Sequence, residues 1–285
     1  MLKYFLRITL ATIMLFAFSN KAFCSYEQYD NQQFYHLIDL DTQEILLSKN
    51  ADVKIPPSSM TKVMTAYVVF DLIESGFLTL DKECVVTKEA WRKTGSSMFL
   101  NQGDIVTISE LLQGLLAVSG NDAAVALAKN SAGSVDNFVD LMNIKAREIG
   151  LLGSSFKNPH GLYEEGHYMT LRDLTTLASK FYKKFPQYIK YLSIEEFTYG
   201  NITQRNRNPL IKEHYDGVLA GKTGYTNQGG YGIIGIVKRD NRNLVGTINK
   251  AKSPSQRREA VIKLFDFNMG IWLKRSFLSL FPLLV

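Results

Sequence analysis

The sequence predicts a mixed α/β fold of the α+β type, in which one antiparallel sheet flanked by helices carries an inserted helical lobe. Strand patterns lie near both ends of the chain, as a hairpin over 33–50 and as apolar-rich stretches after about residue 196. The segment between them is dominated by helical periodicity. Strands from the two ends therefore form one sheet lobe (about 25–58 and 196–285), with a helical lobe over about 59–195. The cleft between the lobes is the expected place for a functional site.

The N-terminal elements are a hairpin and a buried helix. The hairpin turns at 41–43, between two apolar-rich arms. Pro56 and Pro57 then keep the chain extended, because proline disfavours the helical conformation in the residue before it. The apolar positions over 63–73 suit a buried helix that ends at Gly76.

Further helices follow in the middle of the chain, and strand signals return after them. Ser109 with Glu110 opens one helix, and Thr170-x-x-Asp173 is a capping-box pattern that opens another. The predicted helices span 109–119, 121–133, 134–150, 170–184 and about 253–275, and the predicted strands span 195–201, 229–239 and 242–251.

Residues 1–24 have the layout of a secretory signal peptide. A basic start precedes an apolar run over 8–18, and small residues follow near a cleavage point before Ser25. The run is too short to span a bilayer, which takes about 20 apolar residues. Bulky Phe23 disfavours a lipoprotein signal, and an uncleaved anchor is the alternative. We therefore expect an exported protein of the periplasm or cell envelope. Association with the outer face of the cytoplasmic membrane is left open as part of this expectation.

The composition of the exported chain excludes two classes of protein. Removal of 1–24 takes away Lys3, Arg7 and Lys21 and no acidic residue, so the formal net charge falls from +6 to +3. The remaining basic residues are scattered, so nothing indicates nucleic-acid binding. Cys84 is the one cysteine left, which excludes a disulfide-stapled scaffold, and we expect it to be a small buried hydrophobe.

Three short patterns carry the candidate chemistry. Residues 59–62 fit S-x-x-K, residues 119–121 fit S-x-N and residues 222–224 fit K-T-G. None is convincing alone, because each pattern has a second copy in this chain. The second copies lie at 154–157, 48–50 and 93–95.

The Gly-Lys-Thr at 221–223 does not fit a phosphate-binding loop. That loop needs four residues between its first glycine and the glycine before its lysine. Three residues separate Gly217 from Gly221. The stretch that follows, 229–239, has the pattern of a strand, whereas such a loop must open a helix. Both observations disfavour an ATP-binding P-loop protein.

Physical context separates the copies of each pattern. Ser59 lies at the start of a buried helix, where free N–H groups and the positive end of the helix dipole suit a developing oxyanion. Lys62 lies one turn later on the same face, where desolvation can lower its pKa and let it accept the serine proton. Ser154 instead lies among glycines and a proline. Lys222 opens an apparent strand, whereas Lys93 only follows a helix-like segment.

Taken in order, the three selected motifs resemble those of the penicillin-binding protein and serine β-lactamase superfamily. The likeness is greatest to the D-alanyl-D-alanine carboxypeptidases, the low-molecular-weight penicillin-binding proteins of serine peptidase family S11. It covers most of 33–270, and includes "KNADVKIPPSSMTKVMTAY", "LLAVSGNDAAVALA", "NPHGL", "RNRN" and "DGVLAGKTGYT". The resemblance implies a β-lactamase/transpeptidase-like fold with one catalytic domain over 25–285. These enzymes often carry a second C-terminal domain, which we do not expect here.

The resemblance also implies a role for each matching residue. Ser59 is the nucleophile, Lys62 is its base, and Ser119 relays the proton to the leaving D-alanine. The N–H groups of Ser59 and Tyr225 form the oxyanion hole. Substrate binding falls to Asn121, Lys222, Thr223, Gly224, Tyr225 and Arg207.

The implied substrate contacts differ in kind. Asn121 holds the amide chain of the substrate, Lys222 and Thr223 bind its terminal carboxylate, and Gly224 lets its backbone lie against the strand. Arg207 resembles the family's carboxylate-contacting arginine, although Arg205 stays open as an alternative.

The implied activity is removal of the terminal D-alanine from peptidoglycan stem peptides through an acyl-serine intermediate, with β-lactam antibiotics as covalent inhibitors. A DD-endopeptidase is the nearest alternative. A β-lactamase is less favoured, because 194–201 does not clearly supply the glutamate needed for fast deacylation. A catalytically silent cell-wall-binding protein is a further alternative.

No cofactor or metal is expected. The histidines and glutamates of 160–167 lack the H-E-x-x-H spacing, and this stretch is better suited to a loop over the cleft. The tail over 270–285 is expected either to touch the membrane surface or to fold onto the sheet.

Overall fold

The computed structural model describes residues 33–239 and 241–266. The signal peptide expected over 1–24 and the tail over 270–285 both lie outside the described residues. Within the described ranges, no helix has the length and apolar character needed to cross a membrane.

A central antiparallel sheet joins strands from both ends of the chain, as predicted. Its strands are Tyr35–Asp39 (β1), Ile45–Lys49 (β2), Val218–Thr226 (β7), Gly230–Arg239 (β8) and Arg242–Ala251 (β9). They are ordered β2-β1-β9-β8-β7, so β7 is one of the two edge strands. The N-terminal hairpin meets the last strand with Tyr35 opposite Ile248.

Both faces of this sheet are covered. The central residues of β8 and β9 are buried without the alternation of a half-exposed strand. On one face, Ile234 and Val245 belong to the large core that the sheet shares with the helical lobe. On the other face, Ile233 and Ile248 pack with a closing helix at 254–266. The sheet therefore holds β7 rigidly at the side of the helical lobe.

The middle of the chain is helical, as predicted. Its helices are Thr61–Glu74 (α1), Lys88–Trp91 (α2), Ile108–Ala117 (α3), Asn121–Ala132 (α4), Val135–Glu148 (α5) and Leu171–Lys184 (α6), with 3-10 turns at Ser58–Met60 and Pro186–Leu192. Two helices follow among the later strands, Pro209–Lys212 (α7) and the closing helix at 254–266 (α8). The first ten residues of α1 are all buried, so the prediction of a buried helix after the Pro-Pro segment is confirmed.

The start of α3 differs from the prediction. Thr107 caps the helix in place of Ser109: its Oγ1 accepts from the Glu110 N–H, and Glu110 Oε2 accepts from the Thr107 N–H at 2.9 Å. A capping box needs this spacing of three residues, which Ser109 and Glu110 do not have. The Ser109 hydroxyl bonds to Tyr191 Oη at 2.9 Å instead.

Two short sheets of two strands each stand apart from the central sheet. Glu83–Val85 (β3) pairs with Ile105–Thr107 (β4), and Glu196–Tyr199 (β5) pairs with Ile202–Arg205 (β6). The predicted strand at 195–201 therefore belongs to its own hairpin and not to the central sheet. Its exposed and buried residues alternate, which suits a surface hairpin and not a strand covered on both faces.

Candidate active site

Ser59 lies in the 3-10 turn that leads directly into α1, and the edge strand β7 passes along this turn. A Cβ added to Gly224 of β7 would lie 2.9 Å from the Pro57 carbonyl oxygen and 3.1 Å from Ser58 Cβ. Only glycine therefore allows the strand to approach the turn this closely. The last residue of the K-T-G motif thus brings the strand to the serine of the S-x-x-K motif.

Lys62 lies one helical turn after Ser59, and oxygen atoms surround its amino group. The Nζ atom is 3.1 Å from Ser59 Oγ, 2.7 Å from Asn121 Oδ1 and 2.6 Å from the His160 carbonyl oxygen. The side chain is completely buried. An ammonium group would donate to all three oxygens, whereas a neutral amine would donate to two and accept the Ser59 hydroxyl proton with its lone pair.

The surroundings of Lys62 favour the neutral amine. Burial is the main cause that holds the pKa of Lys62 well below its ordinary value; the Lys222 and Arg207 charges act in the same direction, and Asp122 opposes them. An amine that is neutral and touches a serine hydroxyl can act as a general base. The arrangement can therefore activate Ser59 as a nucleophile.

Ser119 lies just before α4 in a strained and unsatisfied position. Its φ of 66° is in the left-handed region that favours glycine. Its buried Oγ has no hydrogen-bond partner within the described part of the chain. Burying an unpaired hydroxyl costs free energy that a bound substrate can recover by hydrogen bonding. Strain and unpaired groups of this kind cluster at functional sites.

Asn121 is the first residue of α4, and both ends of its side-chain amide are engaged. Its Oδ1 accepts from Lys62, and its Nδ2 donates to the Thr94 carbonyl oxygen at 2.8 Å. One N–H of the amide stays available for a substrate carbonyl. Asn121 therefore contacts the lysine directly, in addition to the substrate contact that the resemblance implies.

Lys222 is buried as well, but it has few partners. Among the described residues, its amino group has a single hydrogen bond, to the Thr223 carbonyl oxygen at 3.3 Å. Burial, followed by the charges of Arg207 and Arg257, lowers the pKa of Lys222 to about 7. A desolvated cation without an anionic partner is costly. A carboxylate from a ligand would satisfy it.

Thr223 and Tyr225 continue β7 beyond Lys222. Thr223 is nearly buried, whereas the Tyr225 ring is half exposed and stacks on Tyr231 with ring centroids 4.1 Å apart. Because β7 is an edge strand, alternate backbone N–H and C=O groups face away from β8. Such an edge can hydrogen-bond an extended peptide as an added strand.

The structure distinguishes the two candidate arginines. Arg207 Nη1 donates to Ser96 Oγ at 2.9 Å, and its charge acts on both buried lysines. Arg205 instead faces Glu196 across the β5–β6 hairpin at 3.4 Å, and its side chain is 81% exposed. Arg207 is therefore the one of the two that belongs to the cleft.

Sequence reasoning missed Arg257, which lies on α8. The residue is nearly buried, and its Nη2 donates to the Arg207 carbonyl oxygen at 3.2 Å. Its charge also acts on Lys222. Two adjacent arginines in a closing helix are typical of a solvated surface, so no local signal could have identified this one.

The stretch 160–167 is a loop packed against α1. Its first residue, His160, gives its carbonyl oxygen to Lys62, and His167 Nε2 lies 2.9 Å from Thr61 Oγ1. Burial lowers the pKa of His160 to about 2 and that of His167 to about 4. Over 33–239 and 241–266, no three histidine, cysteine or carboxylate side chains cluster as metal ligands would.

Two of the rejected motif copies have structural partners. Ser154 Oγ donates to Asp173 Oδ2 at 2.7 Å, where it helps to fix the loop before α6. Ser48 Oγ is bonded to His36 Nδ1 across the β1–β2 hairpin at 3.0 Å. Neither of these bonds involves a lysine, in contrast to the bond between Ser59 and Lys62.

The peptidase S11 family model, described as D-alanyl-D-alanine carboxypeptidase, matches residues 25–253. The chain belongs to this family. The resemblance inferred from the three motifs is therefore confirmed.

Curated relatives agree with this assignment. D-alanyl-D-alanine carboxypeptidase DacF of Bacillus subtilis is 35% identical over 283 residues, which cover 93% of this chain and 71% of that protein. DacA of Haemophilus influenzae is 35% identical over 212 residues, covering 73% of this chain and 54% of that protein. DacC of Escherichia coli is 33% identical over 249 residues, covering 84% of this chain and 62% of that protein. The chain thus spans between about half and 71% of the length of these relatives.

Solved structures confirm the predicted fold class. Penicillin-binding protein 5 from Haemophilus influenzae matches with a TM-score of 0.80 and 32% identity, covering 83% of this chain and 70% of that chain. Penicillin-binding protein 6B from Escherichia coli matches with a TM-score of 0.78 and 35% identity, covering 82% of this chain and 75% of that chain. Ampicillin-bound penicillin-binding protein D2 from Listeria monocytogenes matches with a TM-score of 0.76 and 25% identity, covering 84% of this chain and 97% of that chain.

Proposed function

We propose that this chain is a serine-type D-alanyl-D-alanine carboxypeptidase, which removes the terminal D-alanine from peptidoglycan stem peptides in the cell envelope. The observation that carries the proposal is the 3.1 Å contact between Lys62 Nζ and Ser59 Oγ, in a cleft that also contains the buried cation of Lys222. Membership of the S11 family and the names of the relatives support the same activity.

Acylation begins when Ser59 Oγ attacks the carbonyl carbon of the penultimate D-alanine and Lys62 takes the hydroxyl proton. The N–H groups of Ser59 and Tyr225 donate to the oxyanion that forms. When the C–N bond breaks, the proton on Lys62 passes through the Ser119 hydroxyl to the leaving nitrogen. The terminal D-alanine departs, and the rest of the peptide stays on Ser59 as an ester.

Recognition of the substrate depends on its free carboxylate. Lys222 supplies a buried positive charge, Thr223 a hydroxyl donor, and Arg207 a guanidinium at the edge of the cleft. The substrate chain lies along β7 at Gly224, where its amides pair with the strand edge. The remaining N–H of Asn121 binds a substrate carbonyl.

In deacylation, the oxygen of a water molecule attacks the ester carbonyl carbon while Lys62 takes a proton from the water. Lys62 returns this proton to Ser59 Oγ when the ester bond breaks, and the shortened peptide leaves with a free carboxyl group. In the loop beside Lys62, a backbone carbonyl and not a carboxylate reaches the amino group. The neighbouring Glu164 is held by Asn158 Nδ2 at 2.9 Å. Without a positioned glutamate, hydrolysis of a penicilloyl ester is slow, which favours a carboxypeptidase that β-lactams inhibit over a β-lactamase. The ampicillin-bound relative supports such inhibition.

Release of D-alanine from a synthetic peptide ending in D-Ala-D-Ala tests the proposal. The wild-type protein should release one D-alanine per peptide, and Ser59→Ala should release none. Purified cross-linked muropeptides, analysed by mass spectrometry, provide the second substrate. Cleavage of the cross-link without loss of terminal D-alanine would show a DD-endopeptidase instead of a carboxypeptidase. If neither product is released, the protein is a wall-binding protein without catalytic activity.

A further inference from the structure

The second Lys-Thr-Gly copy opens a loop, residues 94–100, that touches two residues of the cleft from outside. The Thr94 carbonyl oxygen accepts from Asn121 Nδ2 at 2.8 Å, and the Ser96 carbonyl oxygen accepts from the Asn121 backbone N–H at 2.7 Å. Ser96 Oγ accepts from Arg207 at 2.9 Å. The 94–100 loop therefore contacts both Asn121 and Arg207, although none of its own side chains takes part in the proposed reaction.

The loop decides which way the Asn121 amide faces. A backbone carbonyl can only accept hydrogen bonds, so the Thr94 oxygen requires the NH₂ group of the amide on its side. The amide oxygen must then lie on the opposite side, where it accepts from Lys62. With the amide reversed, two oxygens would face each other at Thr94, and an NH₂ group would face the N–H bonds of Lys62.

Gly95 makes this contact sterically possible. Its φ of 95° is one that side chains rarely adopt. A Cβ at this position would lie 2.6 Å from Asn121 Nδ2. Any larger residue would therefore push the amide of Asn121 away from Thr94.

Asp122 ties the loop to the helix that carries Asn121. The carboxylate is buried in the first turn of α4 and accepts from the Met98 N–H at 3.0 Å, the Leu100 N–H at 3.2 Å and the Ser97 hydroxyl at 2.5 Å. Charge-assisted bonds of this kind are stronger than neutral ones. They fix the loop relative to the residue directly before Asp122.

We propose that Gly95 and Asp122 are positioning residues, which hold the 94–100 loop against α4 so that the Asn121 amide presents its oxygen to Lys62. The inference rests on the proposed function, because it takes Lys62 as the base. It gives the second Lys-Thr-Gly copy a role in the same site as the first.

A pair of glycine substitutions tests the steric step. Gly103 has a φ of 89°, close to that of Gly95, but a Cβ there would meet nothing within 4 Å. Gly103→Ala is therefore a matched control that introduces similar backbone strain without touching Asn121. Because small misplacements at a reacting centre can cost about 100-fold in rate, we expect penicillin acylation to fall roughly 30- to 100-fold in Gly95→Ala and less than about twofold in Gly103→Ala.

The pH profile of acylation separates mispositioning from a loosened fold. The charged or titratable groups that act on Lys62 or feel its charge are Lys222 of β7, Arg207 before α7, Asp122 of α4 and His160 of the 160–167 loop. An NH₂ group turned toward Lys62 lowers the pKa of Lys62 further, so the acidic limb of the profile moves to lower pH by about one unit. Water entering a loosened cleft would raise that pKa and move the limb to higher pH.

Asp122→Asn provides the second variant. It keeps the shape of the side chain but puts an NH₂ group in place of one carboxylate oxygen, among the donors of Ser97, Met98, Leu100 and Ala123. Hydrogen bonds that hold the loop to α4 are therefore lost. It also removes the anion that raises the pKa of Lys62, so its acidic limb should move in the same direction as that of Gly95→Ala. We expect about tenfold slower acylation.

Acylation of Gly95→Ala within threefold of Gly103→Ala, or an acidic limb displaced to higher pH, would overturn the proposal. If the wild-type protein is not acylated at all, the proposed function fails separately. A crystal structure of Gly95→Ala then decides the positioning proposal on its own: a displaced Asn121 side chain supports it, and an unchanged one refutes it.

Discussion

Two lysines are buried in the cleft, and their surroundings are opposite. Lys62 has three oxygen atoms within 3.1 Å of its amino group, whereas Lys222 has one, at 3.3 Å. Neither has a carboxylate partner in the described residues. On the surface, by contrast, Lys129 forms an ion pair with Glu89 at 2.6 Å.

The difference indicates two kinds of chemistry. At Lys62 every N–H finds an acceptor even when the amine is neutral, and the lone pair then points at a serine hydroxyl, which is the arrangement of a base. At Lys222 the positive charge is left largely unsatisfied, which is the arrangement of an anion-binding site. The surroundings of Lys62 therefore suit a general base, and those of Lys222 suit a carboxylate-binding site.

The comparison predicts the largest effect for Lys62→Met. This substitution preserves the bulk of the side chain and removes the amine, so Ser59 loses its base. Because a positioned base contributes about 10²- to 10⁴-fold, penicillin acylation followed by gel fluorescence should slow at least about 10³-fold. Cys84→Ala is the control, because this buried thiol, whose pKa burial raises to about 11, lies on β3, which pairs with β4 and carries no residue of the site. Its acylation should stay within twofold of wild type.

Lys222→Met should reduce turnover in a way that depends on the substrate. Truncating one partner of a buried charged pair costs roughly 2–5 kcal/mol, so kcat/KM for a peptide with a free terminal carboxylate should fall about 30-fold or more. A peptide with an amidated terminus cannot pair with the ammonium, and its small rate of acylation should change less than about threefold. Equal losses for both peptides would show that Lys222 does not bind the carboxylate.

The pH dependence of binding follows from the pKa of about 7 at Lys222. Its positive charge is present below this pH and is lost above it, so the KM for a carboxylate-terminated peptide should rise through pH 7 and above, by up to about tenfold per unit. Lys222→Met should show no such rise. A flat KM in the wild-type protein between pH 6 and 9 would contradict the account.

The two lysines should also differ in how their substitution changes thermal stability, and this effect should be smaller than the effects on the reaction. The pKa of Lys222 is lower in the folded protein than the ordinary 10.5, so its protonated form favours the unfolded state; this penalty is complete below pH 7 and disappears toward pH 10.5. Lys222→Met should therefore raise the Tm at pH 6 by several °C, at roughly 2–4 °C per kcal/mol. Lys62→Met should not raise the Tm at pH 6, because this substitution leaves the Asn121 and His160 oxygens without their hydrogen-bond donor. Calorimetry of both variants at pH 6 and 9 measures the difference.

The local half of the site could be predicted from the sequence. Ser59 and Lys62 are three residues apart on one helix, so spacing alone places them together. Most of the central sheet could be predicted as well, because β8, β9 and the N-terminal hairpin have clear patterns. The edge strand β7 is the exception: Lys222 was expected to open a strand, but it lies in the middle of Val218–Thr226. The strand predicted at 195–201 was assigned to the wrong sheet and its partner β6 was not predicted, because the partner of a short strand is not encoded in the strand itself.

The S-x-N and K-T-G motifs also identify Asn121 and Lys222, but other non-local contacts of the site carry no sequence signal. The His160 and Thr94 contributions are backbone carbonyl oxygens, which any residue could supply. Arg257 reaches the cleft only because α8 packs beside Arg207. The roles of Gly95 and Gly224 depend on what a Cβ would strike, which requires coordinates.

Peptide mapping by mass spectrometry after incubation with a penicillin tests most directly whether Ser59 is the nucleophile that Lys62 activates. One penicilloyl group per chain should appear on the peptide that contains Ser59, should be absent from Ser59→Ala, and should form at least about 10³-fold more slowly in Lys62→Met. An adduct on any other residue, or an adduct that forms at the wild-type rate in Lys62→Met, would contradict the account.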